Sequence, residues 1–175
     1  WKNYNHARNS NEIFKRLLMK IVEKCINLLG KSISYLIPVM TLLMVIIIVS
    51  RYFFGTGRTD LQELVMYIHS LIFLGCAGYV FNQDEHVRVD IFYREASSKY
   101  KDGINLVCGI IFLLPVTIII FIYSIDLVSM SWSIEETSTE PGGLAYVYIQ
   151  KSFIFLFPLT LIGAFLYKAV RIIWK

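Results

Sequence analysis

An all-α integral membrane protein, with four transmembrane helices and an N-terminal amphipathic interfacial helix, is the fold class this sequence predicts. Three observations carry that prediction. Charged residues make up only 17% of the 175 and hydrophobic ones 56%, against about a quarter charged in a soluble globular chain. Formal charge is absent from four long runs, 32–50, 64–83, 103–125 and 152–167, and about 20 apolar residues cross a bilayer as a helix. The basic residues are shared unevenly among the segments between those runs. Together these exclude a soluble enzyme domain, a disordered chain and a disulfide-stapled module. A net charge of +4 is too small to point to nucleic acid.

Residues 1–11 are polar and without periodicity. From 12 to 31, Glu12, Arg16, Lys20, Glu23, Asn27 and Lys31 recur every three or four positions and form one stripe. Phe14, Leu17, Leu18, Ile21, Val22, Cys25, Leu28 and Leu29 form the other face. The pattern predicts an amphipathic helix over 12–30 within a cytoplasmic segment 1–31. It lies along the headgroup layer with its Lys and Arg toward phospholipid phosphates, or else packs as a soluble helix on a partner. Gly30 is placed to end it. The spans follow at 33–54, 61–81, 104–125 and 147–168, in a transmembrane domain of 32–170 that leaves 171–175 as a cytoplasmic tail. The glycine-rich link 55–60 is short, so the second span runs antiparallel beside the first. Loop 82–103 is charged with both signs, whereas 133–146 holds three Glu and no Lys or Arg. Pro115 and Pro158 fall inside spans as kink positions. Basic residues outside the spans number 7, 1, 4, 0 and 3 in chain order, which by the positive-inside rule puts both termini in the cytoplasm.

Ionisable groups inside spans are costly and therefore candidates for function. The middle of every span lacks Asp, Glu, Lys and Arg. Arg51, Asp60, Glu63, Asp126 and Lys151 all cluster toward the outer ends. Arg51 lies level with Glu63 and Asp126, so it pairs with one of them or snorkels to lipid phosphate; Lys151 reads as a snorkelling anchor. His69, two turns inside the second span, has no second intramembrane His to share a haem, so it reads as a hydrogen-bonded interface residue and no cofactor is expected. Gly75, Cys76, Ala77 and Gly78 form a small-residue patch suited to close helix packing. Cys25, Cys76 and Cys108 form no CxxC and read as packing residues. A quinone-linked disulfide oxidase would need outward cysteine pairs, and a small multidrug exporter a mid-span carboxylate. What remains is a non-catalytic accessory or scaffold subunit, with a haem- or quinone-holding anchor of a redox complex as its rival.

Four stretches then fall into a known order: Arg51-Tyr52-Phe53-Phe54, Glu63-Leu64, Leu74-Gly75-Cys76-Ala77 and His86-Val87-Arg88-Val89-Asp90. The order resembles the small (DctQ, or Q-type) membrane subunit of tripartite ATP-independent periplasmic (TRAP) transporters. Trp132, Glu136-Thr137-Ser138 and Gly142-Gly143-Leu144 are similar to that family's outer loop. Where many members carry a Trp just before the glutamate of the second span, this chain reads Thr59-Asp60-Leu61-Gln62-Glu63. The resemblance implies a multi-pass protein of the bacterial inner membrane with two partners. One is a large membrane subunit that moves sodium and substrate; the other is a periplasmic binding protein that captures an organic acid, often a dicarboxylate or a sialic acid. Arg51, Tyr52, Glu63, Gly75, Gly78 and Asp126 are then structural or interface positions. His86, Arg88 and Asp90 either form a polar loop that caps the next amphipathic stretch through Asp90 or dock the large subunit. Arg58, Asp60, Glu135, Glu136 and Glu140 either face the arriving binding protein or, for the three glutamates, merely keep the outer loop solvated.

Overall fold

Buried in hydrocarbon, a backbone must satisfy its own hydrogen bonds, and uncharged runs of this length do so as helices. The computed structural model describes residues 2–86, 95 and 97–173 and has four helical stretches long and apolar enough to cross a membrane: Met19–Phe53, Thr59–Asn82, Ser98–Ser133 and Val147–Ile173. No strand occurs among the described residues. The end carrying the link 55–58 and the loop 134–146 is called outer for its charge asymmetry, and the end carrying both termini inner.

The first stretch joins α1 (Lys2–Ser34) to α2 (Leu36–Phe53) through a single turn residue, Tyr35. Gly30 does not end α1. It is buried, and a Cβ there would collide with the Tyr79 ring, so close packing is what requires the glycine. The Cys76 thiol donates to the Gly30 carbonyl at 3.5 Å, and the Asn82 side-chain amide donates to Asn27 Oδ1 at 3.2 Å. Ile33 reaches Gly75, and Ile26 and Val22 lie over Gly163. The second half of α1 therefore runs antiparallel to the inner ends of the second and fourth spans, as part of the bundle. Its buried strip, Ile26 and Gly30, falls between the polar stripe and the apolar face, and Leu17, Ile21 and Leu28 stay exposed beside Lys20, Lys24 and Lys31.

The second span breaks at Cys76 into α3 (Thr59–Gly75) and α4 (Ala77–Asn82). α4 ends in a Schellman turn: Asp84 is left-handed (φ 64°), and the Glu85 N–H donates to Val80 O at 3.2 Å. The third span begins with α5 (Ser98–Cys108), capped by Ser97, whose hydroxyl accepts from the Tyr100 N–H at 3.4 Å. A π-helical turn, Gly109–Leu113, leads into α6 (Leu114–Ser133). The missing N–H of Pro115 is accommodated at this widened turn. In the fourth span, a 3₁₀ turn at Phe153–Phe155 joins α7 (Val147–Ser152) to α8 (Leu156–Ile173), just before Pro158.

The spans do not pack in chain order. The first lies on the second and, through the second half of α1, on the fourth as well; the second lies on the fourth and the fourth on the third, while α2 and α6 make no comparable contact. The most intimate crossing joins α4 to α8, where the Gly78 N–H donates to Thr160 Oγ1 at 3.3 Å. Leu161, Ala164 and Phe165 of α8 make much of the core, with Thr117, Ser124 and Ser131 buried on α6. Those three hydroxyls are satisfied: Thr117 and Ser124 donate one turn back to Leu113 O and Ile120 O, and Ser131 donates to Glu136.

Candidate functional site

The polar residues that hydropathy pushes to the outer ends of the spans organise the loop that follows α6. α6 itself ends in a second Schellman turn, with Glu135 left-handed (φ 45°) and the Glu136 N–H donating to Ser131 O at 3.0 Å. That turn aims Glu136 back at the bundle. One carboxylate oxygen of Glu136 accepts from the Ser131 hydroxyl at 2.6 Å and pairs with Lys151 at the start of the fourth span. The Lys151 ammonium, chiefly, and the Ser131 hydroxyl hold the Glu136 carboxyl below its ordinary range. Lys151 is thus a tether for the loop rather than a snorkelling anchor.

Glu63 holds the other half of the loop. Its two oxygens accept from the Ser138 hydroxyl and from the Leu144 N–H, the latter at 2.6 Å. The loop also closes on itself, the Ser138 N–H donating to Leu144 O at 3.0 Å. Gly143 is required here, because a Cβ would sit 2.7 Å from Glu63 Oε1. Gly142 supplies the positive φ of the preceding turn (76°). On the flank, Trp132 Nε1 donates to Ser152 Oγ at 2.8 Å, and its ring meets Tyr148 edge-on at 4.8 Å. Below the cap, Gln150 Nε2 donates to Ser70 Oγ at 3.4 Å. A single polar cap therefore ties the outer ends of the second, third and fourth spans together.

The expected site residues divide accordingly. Glu63 and Glu136 are members of the cap. Arg51 is exposed and forms no ion pair among the described residues; Glu63 is occupied by Ser138 and Leu144, and Asp126 sits on α6, which does not pack against α2. The expected pairing of Arg51 with either carboxylate is therefore not formed. Tyr52 is exposed beside it. Gly75 and Gly78 lie at helix crossings, where Cβ atoms would meet Ile33 Cδ1 at 2.6 Å and the Thr160 carbonyl oxygen at 2.5 Å. Arg58 and Asp60 form their own bidentate pair (2.7 and 3.0 Å), so their charges largely cancel. Glu135 and Glu140 are exposed. His69 is exposed and stacks on Phe73, with ring centroids 6.3 Å apart, in place of the expected hydrogen bond.

At the inner end, Lys168 Nζ donates to Phe81 O at 2.7 Å and pairs with Asp84 at 2.9 Å, fastening α8 to the end of α4. His86 Nε2 lies 3.3 Å from Ala77 O, with its ring against Phe81. Arg88 and Asp90 lie outside the described residues. Sequence reasoning missed Ser131, Ser138 and Lys151 as cap members. The E-x-S spacing of Glu136 and Ser138 was the available signal.

A family model described as "Tripartite ATP-independent periplasmic transporters, DctQ component" matches residues 40–173, a stretch that contains every member of the outer cap. No curated protein and no solved structure matches the chain.

Proposed function

Because the chain belongs to the DctQ family, the small membrane component of tripartite ATP-independent periplasmic transporters, we propose that it serves as the non-catalytic small subunit of a sodium-coupled TRAP carrier for organic acids in a bacterial inner membrane. Carboxylates such as dicarboxylates or a sialic acid are the substrate class. The observation that carries the reading is the outer cap. Residues that mark the family resemblance, Glu63, Glu136, Ser138, Gly143 and Leu144, converge to hold one shaped loop at the outer end. The middle of each span carries no Asp, Glu, Lys or Arg, which suits a subunit that leaves ion and substrate binding to its large partner. The cap gives the periplasmic binding protein a preformed surface, and the lipid-level faces of α2 and α6 leave broad apolar area for the large subunit.

The test is reconstitution. Liposomes holding this chain alone should take up no organic acid under a sodium gradient. Liposomes holding it with the membrane subunit that co-purifies with it, plus the binding protein, should. Uptake by the chain alone would overturn the scaffold role.

A further inference from the structure

The buried side of α6 is set by Thr117, Ser124, Val128 and Ser131. Asp126 lies two residues from both Ser124 and Val128, which on a helix of 3.6 residues per turn is the opposite side. It is exposed and has no hydrogen bond or ion pair among the described residues. It precedes the end of α6 at Ser133 by seven residues, about 10 Å along the axis. On the fourth span this level falls between Ser152, which bonds Trp132, and Phe155, whose ring meets Phe121 at 5.6 Å. Those are the first residues of the uncharged run 152–167, so Asp126 stands inward of the polar cap. Its neighbours on the same side, Ile119, Ile122, Tyr123 and Met130, are 54–74% exposed and form a continuous ridge. Lipid does not satisfy such a group. Ionisable side chains at membrane level face a protein interior or pair with one another. Lys and Arg escape by snorkelling on long stems, but aspartate is short and lipid phosphates repel it. The exposed side of α2 differs. From Ile37 to Val49 its one polar side chain is Thr41, whose hydroxyl donates to Ile37 O at 3.0 Å. Arg51, two residues from the end of α2, is a cation that reaches phosphate.

We propose that the Asp126 side of α6 is the docking face for a membrane-spanning helix of the large subunit, which brings an Arg or Lys to Asp126, and that the exposed side of α2 faces lipid. This rests on the subunit reading above and adds which side of the chain is covered, and by what chemistry. Charge selects the occupant. A second copy of the chain offers Arg51 alone among the outer cations, because Arg58 is paired with Asp60 and Lys151 with Glu136. Arg51 already has lipid phosphate to meet, whereas Asp126 has only what a partner helix supplies.

The test co-expresses the full chain with its partner membrane subunit and reads the partner recovered per chain in detergent. Asp126→Lys should cut recovery at least about tenfold, since like charges juxtaposed across an interface exclude a partner, and Asp126→Glu should retain it. The Asp126→Lys chain by itself should melt with the parent, because the side chain bonds nothing within the described bundle. In native membranes a photoreactive residue in place of Ile122 should capture the large subunit, and one in place of Val45 should capture lipid. A basic residue of the large subunit found beside the position-122 crosslink, changed to Asp, should restore recovery with Asp126→Lys. Parent-like recovery of Asp126→Lys overturns the proposal. So does capture of lipid or of a second copy at position 122, or of the large subunit at position 45 instead. The crosslinks decide even where Asp126→Lys fails to fold. Failure of the subunit reading shows separately, as a parent chain that recovers no second membrane subunit, and would remove this proposal with it.

Discussion

Glu63 brings a negative charge to the membrane boundary, and the loop answers it with two donors from 75 and 81 residues away. A hydrogen bond to a charged group contributes roughly 1.5–3 kcal/mol, and an orphaned donor adds to the loss. Glu63→Ala should therefore lower stability by about 2–3 kcal/mol and speed hydrogen exchange at the Leu144 amide, with Glu63→Gln intermediate because it keeps one acceptor. Glu136 makes a pH-dependent prediction. Its folded pKa lies below the ordinary 4.5, first through Lys151 and then through Ser131. A lowered carboxylate pKa stabilises the fold above the unfolded value, and that contribution is lost as pH falls through the folded value. Protection of the loop amides should thus hold at neutral pH and fade below about 4.5, and Lys151→Met should move the Glu136 titration, followed by NMR, upward. Arg51 behaves oppositely. Exposed and without an ion pair among the described residues, it should tolerate replacement by Ala within about 0.5 kcal/mol in thermal unfolding of the isolated chain. A larger loss, restored by Asp126→Asn, would reinstate the pair.

Among the elements, the second span is decided by its small residues. The break at Cys76 lets α4 lean against α8, and the two backbones meet at Gly78 and Thr160. A methyl at Gly78 would press on the Thr160 carbonyl, which cannot move without moving α8. At Gly75 the obstacle is the far end of Ile33, and at Gly163 the nearest atom, Ile26 Cδ1, is 3.1 Å away. Overpacking costs typically 1–3 kcal/mol, so Gly78→Ala should fall near the top of that range, Gly75→Ala below it and Gly163→Ala lowest. Thermal unfolding of the three variants in one detergent checks the order. The π turn before Pro115 and the 3₁₀ turn before Pro158 belong to the same scale. Each lies where a proline lacks the N–H that would donate to a carbonyl one turn back, and the Thr117 and Thr160 hydroxyls donate to the nearby Leu113 and Leu156 carbonyls.

For the whole molecule, what matters at the outer end is which charges remain after internal pairing. Among the described charges at this end, Arg58 cancels Asp60 and Lys151 cancels Glu136; Arg51 stays exposed without an ion pair, and Glu135 and Glu140 are the exposed acidic residues that the loop would present to an approaching binding protein. Surface charges of this kind steer encounter, and salt screens them over about 8–10 Å. In the reconstituted transporter, replacing Glu135 and Glu140 with Gln should weaken the apparent affinity for binding protein at low salt, leave maximal uptake unchanged and flatten the salt dependence. Glu136→Gln should act differently, by loosening the loop, and lower stability as well. Parent-like curves for the double variant at both salts would place docking on the large subunit.

The number of spans, the inert middle of the membrane and the polarity of the loops were determined by the sequence alone. Hydropathy and the backbone's need for hydrogen bonds act within one segment at a time, so they can be read from one segment at a time. The family signature was legible for the same reason, in short local strings such as Glu136-Thr137-Ser138. Contacts between segments were not. Gly30 looked like a helix end because glycine often is one; tertiary packing against Tyr79 made it a crossing point inside α1 instead. The sequence leaves Arg51 to Glu63, Asp126 or a lipid phosphate because all lie at one depth, and depth is what a local pattern reports. Only the folded bundle showed that the loop reaches Glu63 first. Left-handed Glu135, which turns α6 into that loop, carries no glycine to announce it. That the second span packs on the fourth was likewise decided by the tertiary structure, because it rests on the fit of Gly78 to Thr160, residues 82 positions apart that no local pattern connects.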